Sequence, residues 1–204
     1  MDVHDMSKFL KTCGLKCKKN NKPLKSLIDS GLAKFDKWWI WDESLITSLE
    51  SFGLVRLRKY KIKNDTAEKN TAYTDSSRGS YAAVLIENGC KTYIAGVNDD
   101  LLDNNRSELF AIKSVLEVAN FDLTIYTDSR YAIGAIKKPH LQEKNVDILA
   151  DIGIITKQKQ IDYKLIWIKA HVGIIGNAEA DALANFVRFL KLWAKYCKKL
   201  NDSH

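Results

Sequence analysis

The side chains in this sequence that could do chemistry are acidic residues at the ends of predicted strands and the beginnings of predicted helices. Four carboxylates and one imidazole share this placement: Asp75, Glu108, Asp128, Asp181 and His171. Carboxylate oxygens are ligands that Mg²⁺ prefers, and this ion usually keeps several of its waters. Two such ions about 3.5–4 Å apart suit in-line displacement at a phosphodiester, since one activates water and the other stabilises the leaving oxygen. If the fold brings these side chains together, they form a two-metal site.

The elements that would position these residues lie in the last two-thirds of the chain. Runs of strand-forming residues predict strands at 71–75, 80–86, 90–96, 123–127 and 163–168. Helical periodicity predicts helices at 104–120, 129–136, 142–158 and 177–200. The pair Asn88-Gly89 is typical of a hairpin turn. This order of elements predicts an α/β fold, in which a mixed five-stranded sheet is flanked by helices.

The predicted elements place the acids where α/β folds gather functional groups, at strand ends and helix starts. Each residue also has a purely structural explanation. Asp128 could cap the helix that follows it, and Glu108 could complete a capping box. Asp181 could interact with the dipole of its helix. His171 could be an ordinary loop residue.

Four stretches surround these residues with distinctive neighbours, at 73–77, 103–109, 127–134 and 168–184. Together they resemble the four motifs of type 1 ribonuclease H, in that family's order. The resemblance implies a ribonuclease H-like fold. It also implies an endonuclease that hydrolyses the RNA strand of RNA–DNA hybrids and leaves 5′-phosphate and 3′-hydroxyl ends.

The resemblance also implies roles for individual residues. Metal binding is implied for Asp75, Glu108, Asp128 and Asp181, with two Mg²⁺ ions that Mn²⁺ can replace. His171 matches a loop histidine that aids proton transfer or product departure. Substrate binding is implied for Asn104, Asn105 and Asn177. We also predict substrate binding for Ser76 and Arg130. Asparagine amides can hydrogen-bond a 2′-hydroxyl, the group that distinguishes RNA from DNA.

The sequence departs from the family pattern at three places. Ser76 stands where a glycine usually follows the first aspartate, so the approach of a nucleic-acid backbone is more crowded. Arg130 stands where cellular and retroviral members often carry glutamine, and it adds a positive charge beside the groove. Residues 137–147 are too few to form the extended basic handle of the bacterial enzyme. Affinity for the substrate is therefore expected to come from elsewhere.

The N-terminal third of the chain is a candidate for that affinity. Residues 1–70 contain 15 Lys/Arg and 9 Asp/Glu, a net charge of +6, whereas residues 71–204 have a net charge of +1. We predict a small helical, winged-helix-like module at 1–65 that binds single- or double-stranded nucleic acid. Residues 66–70 are the predicted linker, and 71–204 the catalytic domain with a C-terminal helix. A solvated lysine-rich face would explain the same charge.

Composition limits the class of protein. The 204 residues contain no long apolar run, and residues 1–6 lack the features of a secretory signal. The four cysteines are scattered, as is usual for reduced thiols inside cells, and they do not supply the ligand spacing of a zinc site. We expect a monomer that does not bind membranes and is located in the cytoplasm or nucleus. A viral or mobile-element origin fits equally well.

Two alternative functions share this fold. One is a module that binds nucleic acid without cutting it. Four clustered acids disfavour this function, because they repel a phosphate backbone unless metal ions offset them. The other is a nuclease specific for DNA structures, which the pair Asn104-Asn105 and the loop of His171 disfavour.

Overall fold

A mixed sheet of six strands forms the centre of the part of the chain that the computed structural model describes, namely residues 39–41, 70–98 and 103–201. The spatial order is β1-β4-β3-β2-β5-β6. The strands are β1 (Trp39–Trp41), β2 (Asn70–Ser77), β3 (Ser80–Glu87), β4 (Cys90–Val97), β5 (Leu123–Thr127) and β6 (Tyr163–Trp167). The first four pair antiparallel, whereas β2, β5 and β6 are parallel to one another. The predicted α/β fold with its five strands is confirmed, and β1 adds a sixth.

Two tight turns set the register of the antiparallel strands. Arg78 and Gly79 between β2 and β3 have φ values of 42° and 85°, and Asn88 and Gly89 between β3 and β4 have 49° and 85°. Positive φ at both central residues is the geometry that matches the twist of a two-residue hairpin. The hairpin predicted from Asn88-Gly89 is therefore confirmed.

Helices cover both faces of the sheet. They are α1 (Asn104–Val118), α2 (Arg130–Lys137), α3 (Val146–Lys159) and α4 (Ile175–Asn201). The main hydrophobic core joins one sheet face to α1 and α3, through residues such as Ile94, Ile112 and Ile148. On the other side, α4 packs on β2, β3 and β4. None of the helices in the described residues is both long and apolar enough to cross a membrane.

The structure differs from the predictions at some boundaries. The helix predicted from residue 142 begins at Val146, after Asn145 in a left-handed conformation (φ 60°). The predicted linker at 66–70 overlaps β2, which includes Asn70. The strand β1 was not predicted. Apart from β1, the module predicted at 1–65 lies outside the described residues.

The beginning of α4 lies against the sheet at a glycine. A Cβ added to Gly176 would lie 2.1 Å from Cδ2 of Tyr73, a buried ring that stacks on Tyr126 with centroids 5.1 Å apart. No atom lies within 4 Å of a Cβ added to Gly153 in α3. The close approach of α4 to β2 therefore requires glycine at position 176.

We expect Gly176→Ala to lower the free energy of unfolding by about 2 kcal/mol, because the new methyl group forces the Tyr73 ring or α4 to move. The matched variant Gly153→Ala should raise it by roughly 0.5–1 kcal/mol, since alanine is the better residue within a helix. Urea denaturation measures both effects. Equal stability of the two variants would show that α4 does not pack as described.

Candidate active site

Parallel pairing of β2 with β5 brings the first two acids together. Thr74 pairs with Thr127 in the register of these strands, so Asp75 and Asp128 follow at the same edge of the sheet. Asp75 is buried, and Asp128 is partly exposed. This edge is where open α/β sheets place their ligands.

Helix α1 brings the third acid to this edge. Asp103 caps the helix, and its carboxylate accepts the backbone N–H of Asn105 at 2.9 Å. One turn later Glu108 is buried, and its carboxylate joins those of Asp75 and Asp128. A carboxylate oxygen from each of these three residues lies within 4.8 Å of the other two.

Helix α4 and the loop before it supply the remaining two groups. Asp181 lies in the second turn of α4, near enough that its charge raises the pKa of both Asp75 and Asp128. Asn185 holds it, because its Nδ2 donates to Asp181 Oδ1 at 2.7 Å and to the Asp181 carbonyl at 2.8 Å. His171 is exposed, and its imidazole lowers the pKa of Asp128. All five residues predicted to be catalytic therefore converge on one region.

The acids of this region are more difficult to ionise than free carboxylic acids. Burial, together with the charges of the neighbouring acids Asp128, Glu108 and Asp181, raises the pKa of Asp75 from 3.8 to about 9. Burial likewise raises the pKa of Glu108 to about 7, against a hydrogen bond from Ser76 that lowers it. Burial is also the main reason that the pKa of Asp128 is raised.

Unsatisfied oxygens indicate that a cation fits here. Asp75 Oδ2 and Glu108 Oε2 are buried without a hydrogen-bond partner. Within residues 70–98 and 103–201, no lysine or arginine forms an ion pair with Asp75, Glu108 or Asp128. Buried acids that repel one another need a proton or a positive ion. A divalent metal ion is a good match for an all-oxygen donor set of this kind.

The purely structural explanations of the acids do not hold. Ser129 and not Asp128 caps α2, since Ser129 Oγ accepts the backbone N–H of Ala132 at 3.1 Å. Glu108 lies five residues after the cap of α1 and cannot complete a capping box with it. Asp181 lies beyond the first turn of α4. The positions of these acids are therefore not explained by helix capping.

The residues predicted to bind substrate have different environments. Asn104 and Asn105 are exposed at the start of α1, and Asn104 Oδ1 lies 3.0 Å from Ser76 Oγ. Arg130 is exposed at the start of α2. Asn177 is 4% exposed, and its Oδ1 has no hydrogen-bond partner among the described residues. Four of the five side chains are thus at least partly accessible, and that of Asn177 is buried.

Three residues near the site were not predicted. Asn185 follows Asp181 by four positions, a helical spacing that could have indicated its hydrogen bond; Ser77 Oγ in turn donates to Asn185 Oδ1 at 2.7 Å. Trp167 Nε1 donates to the carbonyl of Asp128 at 3.1 Å, and its ring lies 4.3 Å from the Arg130 guanidinium. Only the pairing of β5 with β6 reveals the position of Trp167.

Comparison with known proteins places these features in a family. The RNase H family model matches residues 67–188. The ribonuclease H of Francisella philomiragia subsp. philomiragia is 32% identical over 135 residues, which cover 56% of this chain and 87% of the relative. The ribonuclease H of Francisella tularensis subsp. novicida has the same identity and coverage. Residues 67–188 contain all four acids of the site, Asp75, Glu108, Asp128 and Asp181.

The raised pKa of Asp75 predicts a pH-dependent stability without metal ions. Folding raises this pKa from 3.8 to about 9, so the folded chain binds a proton that the unfolded chain has lost over this range. The free energy of unfolding in EDTA should therefore fall as the pH rises from about 4 to about 9. Asp75→Asn carries no charge and should be more stable than the parent at pH 8, by on the order of 1–3 kcal/mol.

Urea denaturation in EDTA at pH 5 and pH 8 measures this effect. The control is Glu143→Gln, which removes a carboxylate from an exposed loop and should keep the pH dependence of the parent. A parent protein that is equally stable at the two pH values would contradict the prediction.

Proposed function

The chain belongs to the ribonuclease H family, and we propose that Asp75, Glu108, Asp128 and Asp181 bind two Mg²⁺ ions for its reaction. It is an endoribonuclease that hydrolyses the RNA strand of RNA–DNA hybrids, and it uses divalent metal. The observation that best supports the proposed ligands is the group of three carboxylates within 4.8 Å of one another. Two of their oxygens are buried and lack any partner among the described residues.

The chain's own residues have distinct tasks in this proposal. Bound metal ions supply an activated water and neutralise charge on the phosphodiester. Asp75 and Glu108 form the buried floor of the site, from which they exclude bulk water. Asp128 and Asp181 are partly exposed and lie nearer the substrate. The exposed imidazole of His171 donates a proton to the leaving 3′-oxygen or assists product departure.

Substrate contacts are proposed for the exposed polar residues around the acids. The amides of Asn104 and Asn105 can bond the 2′-hydroxyl of the RNA strand. Arg130 can bind a phosphate, and its guanidinium is oriented by the Trp167 ring. The role of Asn177 stays a prediction, because its side chain is buried in the structure. A role for Ser76 is argued below.

Residues 1–65 are proposed to add affinity for nucleic acid through their positive charge. Strand β1 belongs to this region and pairs with β4 at the sheet edge opposite β6. We also propose that the protein is a monomer with an intracellular location. The exposed thiol of Cys90, which forms no disulfide, supports a reducing compartment.

Cleavage of a labelled hybrid tests the proposed ligands. We expect the parent to cut the RNA strand of an RNA–DNA hybrid with Mg²⁺ or Mn²⁺, leaving 5′-phosphate ends. Asp128→Asn should reduce the rate by at least about 100-fold, since even the loss of an outer-shell partner costs roughly 10–100-fold. The matched variant Asp151→Asn, on α3, loses an ion pair with Lys113 of α1 and should cut normally.

The same assay separates the alternatives. Binding of the hybrid without cleavage by the parent would favour the non-catalytic module. Cleavage of branched duplex DNA with no cleavage of the hybrid would favour the structure-specific nuclease. Full activity of Asp128→Asn would refute the assignment of Asp128 as a metal ligand, but it would leave the cleavage of the hybrid by the parent unaffected.

The stacked pair of Arg130 and Trp167 predicts an effect on substrate affinity. Arg130→Ala should raise KM for the hybrid several-fold with little change in kcat, and should lower the slope of log affinity against log salt by about one. Trp167→Leu should raise KM less, because the guanidinium remains but loses its orientation. The control Lys157→Ala removes an exposed charge on α3. An equal change in this control would mean that the effect of Arg130 is only one of net charge.

A further inference from the structure

Ser76 donates hydrogen bonds to two carboxylate oxygens of the site, one from Asp75 and one from Glu108. Its backbone N–H donates to Asp75 Oδ1 at 2.7 Å, and its hydroxyl donates to Glu108 Oε1 at 2.7 Å. The two remaining oxygens, Asp75 Oδ2 and Glu108 Oε2, are both buried and have no hydrogen-bond partner in the described residues. One residue therefore fixes one oxygen of each acid and leaves the other oxygen of each available to a cation.

The Ser76 hydroxyl has one proton, and two acceptors lie within its reach. Glu108 Oε1 is 2.7 Å from Ser76 Oγ, and Asn104 Oδ1 is 3.0 Å away. Hydrogen bonds to a carboxylate are shorter and roughly twice as strong as those between neutral groups. The proton is therefore donated to Glu108. Asn104 Oδ1 in turn accepts the backbone N–H of Arg78 at 3.3 Å.

The bond to Glu108 depends on the side chain at position 76 and not on the backbone. Glycine at this position would keep the N–H bond to Asp75 and lose the bond to Glu108. Strand alternation explains why the hydroxyl reaches α1, since the next residue, Ser77, donates to Asn185 on α4. The side chain that sets this sequence apart from the usual glycine is thus in direct contact with a proposed metal ligand.

We propose that Ser76 is a positioning residue for metal binding. Its hydroxyl holds Glu108 Oε1, so that Glu108 Oε2 and Asp75 Oδ2 together receive the divalent cation. The inference rests on the proposed role of Asp75 and Glu108 as ligands. It differs from the substrate contact predicted for Ser76 from the sequence, and the two roles give different experimental results.

The test is a calorimetric titration of Mn²⁺ into the 204-residue chain without nucleic acid. Ser76→Ala and Ser76→Gly remove the hydroxyl, and both should bind Mn²⁺ about 10-fold more weakly than the parent, as is typical for loss of an outer-shell partner. Ser76→Thr retains a hydroxyl and should restore most of the affinity. In cleavage assays the Mn²⁺ concentration for half-maximal rate should rise by the same factor, with KM for the hybrid unchanged at saturating Mn²⁺.

The matched control is Ser114→Ala, which removes a buried hydroxyl from the same helix as Glu108. This hydroxyl donates to the Ala111 carbonyl at 2.8 Å, away from the site. Its loss should leave the affinity for Mn²⁺ unchanged, and an equal weakening would overturn the proposal by showing that any loosening of α1 suffices. Unchanged Mn²⁺ affinity in Ser76→Ala with a raised KM would overturn it in favour of a substrate contact. A parent protein that binds no Mn²⁺ would overturn both this inference and the ligand assignment.

Discussion

Burial of like charges is the constraint on which the rest of this structure depends. Three carboxylates have oxygens within 4.8 Å of one another, and two of them, Asp75 and Glu108, are nearly inaccessible to water. Each acid raises the free energy of ionising its neighbours, and burial adds to that cost. A site of this kind cannot stabilise the protein in the absence of a proton or a cation. It must be held in place by the elements that carry it.

Those elements are anchored away from the acids. Helix α1 is fixed to the sheet by a buried apolar face that includes Leu109 and Ile112, the residues directly after and one turn beyond Glu108. The Asp103 cap sets where this helix begins and therefore how far along the sheet its acid lies. The contact of Gly176 with the Tyr73 ring brings α4 close to β2. The unfavourable repulsion and burial of the acids are thus offset by packing that begins within one or two residues of Asp75 and Glu108.

Most of this arrangement could be predicted from the sequence, because it depends on local signals. The apolar strands, the turn at Asn88-Gly89 and the spacing of acids within motifs are all visible over short windows. What could not be predicted depends on contacts between distant segments. Strand β1 exists through its pairing with β4, and Trp167 reaches Asp128 only because β6 pairs with β5. Apolar periodicity predicts that α3 begins at residue 142, because periodicity carries no signal for the left-handed conformation of Asn145. In the structure the helix begins at Val146.

The two departures from the family pattern that lie beside the acids show why side chains must be placed in three dimensions before their effect is judged. Taken from sequence alone, Ser76 crowds the approach of nucleic acid, and Arg130 adds a charge. In the structure each side chain contacts a neighbour that the sequence alone does not reveal. Ser76 contacts Glu108, and Arg130 contacts the Trp167 ring. The Ser76 hydroxyl is directed to the buried carboxylate of Glu108. A guanidinium stacked on an indole keeps its charge but loses rotational freedom, so less entropy is lost when it binds a phosphate. In the proposed function, Arg130 is a pre-oriented cation of this kind beside the acids, and it would supply affinity that residues 137–147 are too few to provide through an extended basic handle.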